Sequence, residues 1–297
     1  MTLINPQEKP AVKKMSFAAV MDEIHNYFVY VCREKFGWTT VNNMELSSGE
    51  GHVVIRFEKN GKRMVFRVAR HSASQQKRNL LAYGLVGELG LMPAKIYHDP
   101  KCIIEDHMDG QALNSGVSDN AIIELAQKLS RMHSMPAQGY GPLDTASHGT
   151  YEHVSSYYEK LQLPPIDYSE VDLTSEEVDF LERARASLTT LPEALLNAKT
   201  CIGHGDLWRN NILVDQDHVH VIDWDRIGAY PVEHDLVFLV DAQFSDVQKQ
   251  VFYTHYQIDV NLDLVCWFSL RRVFLNTRLN LKKKIAEIKK YELLGNE

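Results

Sequence analysis

The chain has 297 residues, 44% of them apolar and 24% charged, with a formal net charge of −7. That is the composition of one large folded domain or two lobes. The acidic balance argues against a nucleic-acid partner, which needs basic residues to neutralise phosphates, and no apolar run approaches the roughly eighteen residues of a membrane span.

Cys32, Cys102, Cys201 and Cys266 are scattered and make no CxxC pair. This excludes a disulfide framework and a zinc site and leaves free thiols in a reducing compartment. The opening stretch MTLINPQEKPAVKKM lacks the apolar core of a secretory signal. A cytoplasmic location is expected, with no membrane partner and a monomer or weak dimer as the assembly.

Residues 1–15 read as a flexible lead-in. Helical spacing of Phe17, Val20, Met21, Ile24, Phe28 and Val31 predicts an amphipathic helix over 16–36, with Ser16 as its cap and Gly37 as its end. Strands follow over 44–57, interrupted by a Gly-containing turn, and over 63–68 after an Asn60-Gly61 hairpin turn. A helix over 72–89 and strands over 94–98 and 102–106 complete an α+β region. The second half reads as a helix over 120–133, a Gly/Pro/Ser-rich loop over 134–150, and helices over 151–161 and 175–198. A strand–loop–strand, a partner strand over 219–224 and a helical tail close the chain. The boundary near 107–111 divides a first lobe, 1–107, from a second, 108–297.

One stretch carries the chemistry: CIGHGDLWRNNILVD, residues 201–215. Moving a phosphoryl group requires a carboxylate to orient the acceptor hydroxyl and take its proton. It also requires oxygen ligands for Mg²⁺, which neutralises the nucleotide phosphates. Asp206 is the candidate base, and Asn211 stands five positions on, the spacing of the kinase catalytic loop. Asp223, in Val221-Ile-Asp-Trp224, ends a strand able to pair with Ile212–Val214 and so to stand beside Asn211. Asn211 and Asp223 are the candidate Mg²⁺ ligands. Asp225 reads either as a contact to metal or substrate or as a solvated turn acid, the latter being favoured, and His204 reads as a core histidine.

These elements together resemble the aminoglycoside phosphotransferase/choline kinase-like family, over roughly 44–240. Its marks here are His204-Gly-Asp206, Asn211-Ile-Leu-Val214, Val221-Ile-Asp-Trp224 and the Asp235-Leu236 pair after Gly228-Ala-Tyr-Pro. The resemblance implies a protein-kinase-like two-lobed fold, with a small antiparallel-sheet N-lobe and a mainly helical C-lobe. It implies an ATP- or GTP-dependent, Mg²⁺-requiring phosphotransferase acting on a hydroxyl of a small, amine-bearing molecule. Asp235 would brace the catalytic loop by accepting its backbone N–H groups. On the nucleotide side, the turn with Ser48, Gly49 and Gly51 would approach the phosphates, and Arg67 would take the place of the phosphate-binding lysine. The main chain of Asp106 and Met108 would grip the base. One departure stands out: Asn79 occupies the helix position where a Glu would pair with Arg67.

The acceptor is less legible. Residues 167–182 hold seven carboxylates and no cation, which reads either as an amine-recruiting run or as a solvated helix face, the latter being favoured. Gln138–Leu143 with His148–Tyr151 resembles hygromycin-type kinases, whereas Glu88–Pro93 with Ile103–Gly110 resembles choline and thiamine kinases. A metabolite kinase of choline or thiamine type, and a nucleotide-binding pseudokinase, remain the alternatives. Residues 271–290 read as a helix with a charged outer face.

Overall fold

The computed structural model describes residues 17–48, 52–69, 73–114, 116–169, 172–240, 244–276 and 279–294. The lead-in, the Ser16 cap, Gly49 and Gly51 lie outside the described residues. Contacts divide the chain into two compact units, Met1–His71 with Ile96–Asp106 and Ser72–Lys95 with His107–Glu297.

The first unit is a five-stranded sheet backed by one helix. Helix α1 (Phe17–Phe36) precedes β1 (Asn42–Ser48), β2 (His52–Lys59), β3 (Lys62–Ala69), β4 (Lys95–His98) and β5 (Cys102–Asp106), in the order β1-β2-β3-β5-β4. Asn60 and Gly61 both have positive φ, as a two-residue hairpin between β2 and β3 demands. Alternation does the rest. Ile55 and Phe57 of β2 and Met64 and Phe66 of β3 turn one way, onto Phe28, Val31 and Cys32 of α1. Arg67, between Phe66 and Val68, therefore turns the other way. It is buried there, and its Nη2 stands 3.5 Å from Glu105 Oε2 on the neighbouring strand.

The second unit opens with α2 (Ala73–Val86) and continues through β6 (Gln111–Ala112) and α3 (Asp119–His133). Ser118 caps α3, accepting from the Ala121 N–H at 3.1 Å. Residues 134–150, expected to be a loop, carry two strands, β7 (Tyr140–Leu143) and β8 (Gly149–Tyr151). They are strands because β12 (Gly228–Tyr230) and β9 (Cys201–Gly203) complete a sheet in the order β8-β7-β12-β9. Glycine is required where the chain turns: Gly139 has φ +66°, and a Cβ there would lie 2.7 Å from the Tyr151 carbonyl.

Helix α4 (Val154–Lys160) follows, and the single helix expected over 175–198 is two, α5 (Ser175–Ala186) and α6 (Glu193–Leu196). Pro192 precedes α6, where its missing N–H does no harm but would interrupt a continuous helix. Strands β10 (Ile212–Asp215) and β11 (His218–Val221) form a hairpin with β6 along its other edge. Helices α7 (Val232–Val240), α8 (Asp246–His255), α9 (Leu262–Leu275) and α10 (Leu281–Leu294) close the chain.

The tail thus breaks into two helices, and Arg271 is not on a charged outer face. It is buried, with its guanidinium 4.7 Å from the Tyr158 ring centre and 5.7 Å from that of Trp267. Helix α9 must bury this side chain because α4 covers it: Nη2 donates to the Leu161 carbonyl just past the end of α4. No helix among the described residues is long and apolar enough to cross a membrane.

Candidate active site

The site residues of the second unit are placed by two short β connections. Strand β9 delivers His204-Gly-Asp206, and the β10–β11 hairpin carries Asn211 at one end and Asp223 just past the other. Ile212 pairs with Val221, and the Ile222 N–H donates to the Asn211 carbonyl at 2.9 Å, extending the ladder by one step. Asn211 and Asp223 are neighbours for that reason, as their spacing predicts.

Asp206 is fixed by its backbone. Its N–H donates to His204 Nδ1 at 3.2 Å, and its carbonyl accepts from Asn211 Nδ2 at 2.9 Å and from the Trp208 N–H at 3.0 Å. Its half-buried carboxylate takes no hydrogen bond and no ion pair among the described residues. A carboxylate held in place but uncommitted is what a proton acceptor requires.

His204 is wholly buried. Its Nδ1 accepts from Asp206, so Nε2 carries the proton and donates to the Ile222 carbonyl at 3.0 Å. Burial pushes its pKa down, against the opposing pull of Asp235, and the ring stays neutral. It therefore links the loop that carries Asp206 to the strand that leads to Asp223. Trp224 packs on it, with ring centres 4.7 Å apart. Trp224 is buried, so it offers no face to a ligand.

Behind the loop lies Asp235, fully buried. One oxygen accepts the His204 N–H at 2.6 Å and His133 Nε2 at 3.1 Å; the other accepts the Gly205 N–H at 2.8 Å. His133 Nδ1 in turn meets the Tyr256 hydroxyl at 2.7 Å. Burial alone would raise the Asp235 carboxyl; the hydrogen bond from His133, with the His234 ring 3.9 Å away, holds it far below the usual carboxylate range. His133 and Tyr256 escaped the sequence reading. They come from the end of α3 and the residue after α8, and no local spacing links them to residue 235.

Gly205 has φ +79°, and a Cβ there would lie 2.3 Å from the Arg226 carbonyl and 2.8 Å from the Tyr230 ring. Left-handed strain for a non-glycine costs about 1–2 kcal/mol even before that clash. Gly205→Ala is expected to lower the melting temperature by at least ~4 °C. Calorimetry checks this, and a shift within about one degree would contradict it.

Asp223 is exposed and has φ 64°, ψ 60°, a left-handed conformation that Asp tolerates better than most residues. A carboxylate oxygen of Asp223 and one of Asp225 lie within 4.8 Å of each other. Asp225 is not a solvated turn acid. Gln75 Nε2 and Asn79 Nδ2 donate to its two carboxylate oxygens, and Arg78 Nε donates to its carbonyl at 2.6 Å. The donors near this turn, carboxylates and an amide, are the hard oxygen ligands that Mg²⁺ takes.

In the first unit, Ser48 ends β1 and is exposed, facing Val53 across the ladder. Asp106 ends β5, its carboxylate 2.6 Å from Lys62 Nζ. Met108, in the second unit, is half-buried.

The sequence profile of the phosphotransferase enzyme family matches residues 44–262. A search of curated protein sequences returned no match. Solved structures with the same fold include a ternary complex of a thermostable mutant of aminoglycoside phosphotransferase APH(4)-Ia with AMP-PNP and hygromycin B. It is 15% identical, with a TM-score of 0.63 over 92% of this chain and 99% of that one. The GDP complex of wild-type aminoglycoside 2'-phosphotransferase-IIIa is 14% identical, with a TM-score of 0.62 over 91% and 99%. Macrolide 2'-phosphotransferase MphH from Brachybacterium faecium is 12% identical, with a TM-score of 0.57 over 91% and 96%. The fold is that of these small-molecule kinases, and with most of its length matched by the family profile, the chain belongs to the phosphotransferase enzyme family.

Proposed function

We propose that the protein transfers the γ-phosphoryl group of ATP or GTP to a hydroxyl of a small, amine-bearing molecule, with Asp206 as the general base. The observation that carries this reading is the state of Asp206: three hydrogen bonds hold its backbone, while its carboxylate is left uncommitted. Asn211 and Asp223 would hold Mg²⁺, and the closeness of the Asp225 carboxylate adds to the oxygen-rich character of that turn. The ion, when bound, neutralises phosphate charge. The protein's own part is to orient the acceptor hydroxyl at Asp206 and receive its proton, with Asp235 keeping the loop in place. For the nucleotide, Arg67, Ser48, Gly49 and Gly51 are assigned to the phosphates and the main chain of Asp106 and Met108 to the base.

Related structures bind hygromycin B, kanamycin and streptomycin, which supports an amine-bearing acceptor. The acidic run is not the place to look for its recognition. Glu177 caps its own helix and pairs with Lys282 at 2.8 Å, Glu182 accepts from Tyr168, and Asp167 accepts from Ser169. These commitments favour a solvated helix face.

The test is ADP release from Mg·ATP and GDP release from Mg·GTP across aminoglycosides, macrolides, choline, thiamine and related alcohols. Acceptor-dependent release with an aminoglycoside or macrolide supports an antibiotic-modifying role; release with choline or thiamine alone moves the protein to the metabolite kinases. Nucleotide binding without release on any acceptor leaves the pseudokinase reading in its place.

A further inference from the structure

Helix α2 is tied to the turn that bears Asp223. Gln75, Arg78 and Asn79 lie on one face of α2, at i, i+3 and i+4. Between them they occupy both carboxylate oxygens and the carbonyl of Asp225. Asn79 has no exposed surface, and its amide also donates to the Gln75 carbonyl at 3.1 Å. Gln75 is 7% exposed. The turn that they hold contains the left-handed Asp223, a conformation that persists only where its surroundings over-determine it.

The family resemblance implies something else of α2, a carboxylate at position 79 to pair with Arg67. Arg67 instead has Glu105, from the strand beside its own. A carboxylate at 79 would stand against the carboxylate of Asp225, itself close to Asp223, and three like charges would repel. A neutral amide at 79 avoids this and donates to the Asp225 carboxylate.

We propose that Gln75 and Asn79 are positioning residues for the divalent ion: by clamping Asp225 they fix the turn that presents Asp223, so that α2 serves the metal side of the site. This rests on the reading of Asp223 as an ion ligand. It assigns the departure at Asn79 a purpose, with the phosphate-side cation provided for separately by Glu105.

The experiment has two readouts on Asn79→Ala, Asn79→Glu and Gln75→Met. The first is amide hydrogen exchange in the metal-free protein, where residues 222–226 should exchange at least ~10-fold faster than in the wild type. The second is calorimetric titration of Mn²⁺ with ATP, where the ion should bind ~10-fold more weakly, the scale of one lost hydrogen bond to a charged group. Metal-free ATP affinity should not change. Asn79→Ala combined with Asp225→Ala should be no worse than Asp225→Ala alone, because that change already removes the bond that Asn79 makes to the carboxylate. Glu105→Gln serves as the contrast, weakening metal-free ATP binding with exchange at 222–226 unchanged.

Wild-type exchange at 222–226 in Asn79→Ala and Gln75→Met overturns the proposal, as does full Mn²⁺ affinity in Asn79→Glu. Should Asn79→Ala fail to fold, Gln75→Met, of nearly equal length, decides. Should the wild-type protein itself bind Mn²⁺ no better with ATP than without, the proposed function falls, while the exchange comparison still settles whether α2 holds the turn.

Discussion

Asp206→Asn is expected to lower kcat by about 10³-fold while leaving nucleotide affinity within about twofold, since positioned acid–base groups contribute roughly 10²–10⁴. The substitution is close to isosteric. Every hydrogen bond that the structure gives residue 206 is made by its backbone, to His204, Trp208 and Asn211. An amide side chain leaves those in place and removes only the proton acceptor. Stability should therefore be nearly unchanged, which separates loss of chemistry from loss of fold. Single-turnover ADP release with the acceptor found in the screen, alongside calorimetric nucleotide binding, provides the measurement. A fall in kcat of less than about tenfold would remove Asp206 from its assigned role.

Asp235→Asn acts on the same loop through stability. The carboxylate accepts from His204, Gly205 and His133 in a site without solvent. An amide retains one acceptor oxygen and turns an NH₂ group toward backbone N–H donors, so at least one buried donor loses its partner. Breaking a buried charged network of this kind costs about 3–5 kcal/mol. Urea unfolding at neutral pH measures it, and a loss below about 1 kcal/mol would contradict it.

The pH dependence has a definite sign. The folded carboxyl lies far below its unfolded value, so the unfolded chain binds the proton more readily as pH falls. The stabilisation is present above about pH 4 and fades as the medium is acidified toward the folded value. The gap between wild type and Asp235→Asn should therefore narrow below about pH 4.

Much of the site was readable because its parts are local. His204-Gly-Asp206, Asn211 and Asp223 fall within twenty residues, on strands whose pairing follows from two short apolar runs. Strand β5 and helix α3 were legible for similar reasons, one from a β-rich run after a turn and the other from helical spacing. The failures share a cause. Residues 140–143 lie in the middle of a sheet because β12, some ninety residues later, pairs along the edge that β8 leaves open. His133 reaches Asp235 across an equally long stretch of chain. Glu105 finds Arg67 because the β3–β5 register sets Arg67 opposite Ile103, on the face that Glu105 shares. Asp225 was misjudged as solvent-facing because its partners lie on a helix about 150 residues earlier.

The contact between Trp224 and His204 supplies the protein with an internal optical probe. The indole lies edge-on to the imidazole, is shielded from water, and donates its own N–H to the Val221 carbonyl at 2.8 Å. In a variant that keeps Trp224 as its single tryptophan, emission is set by the β9 and β11 termini that it joins, and a red shift would announce water entering between them before the rest of the chain melts.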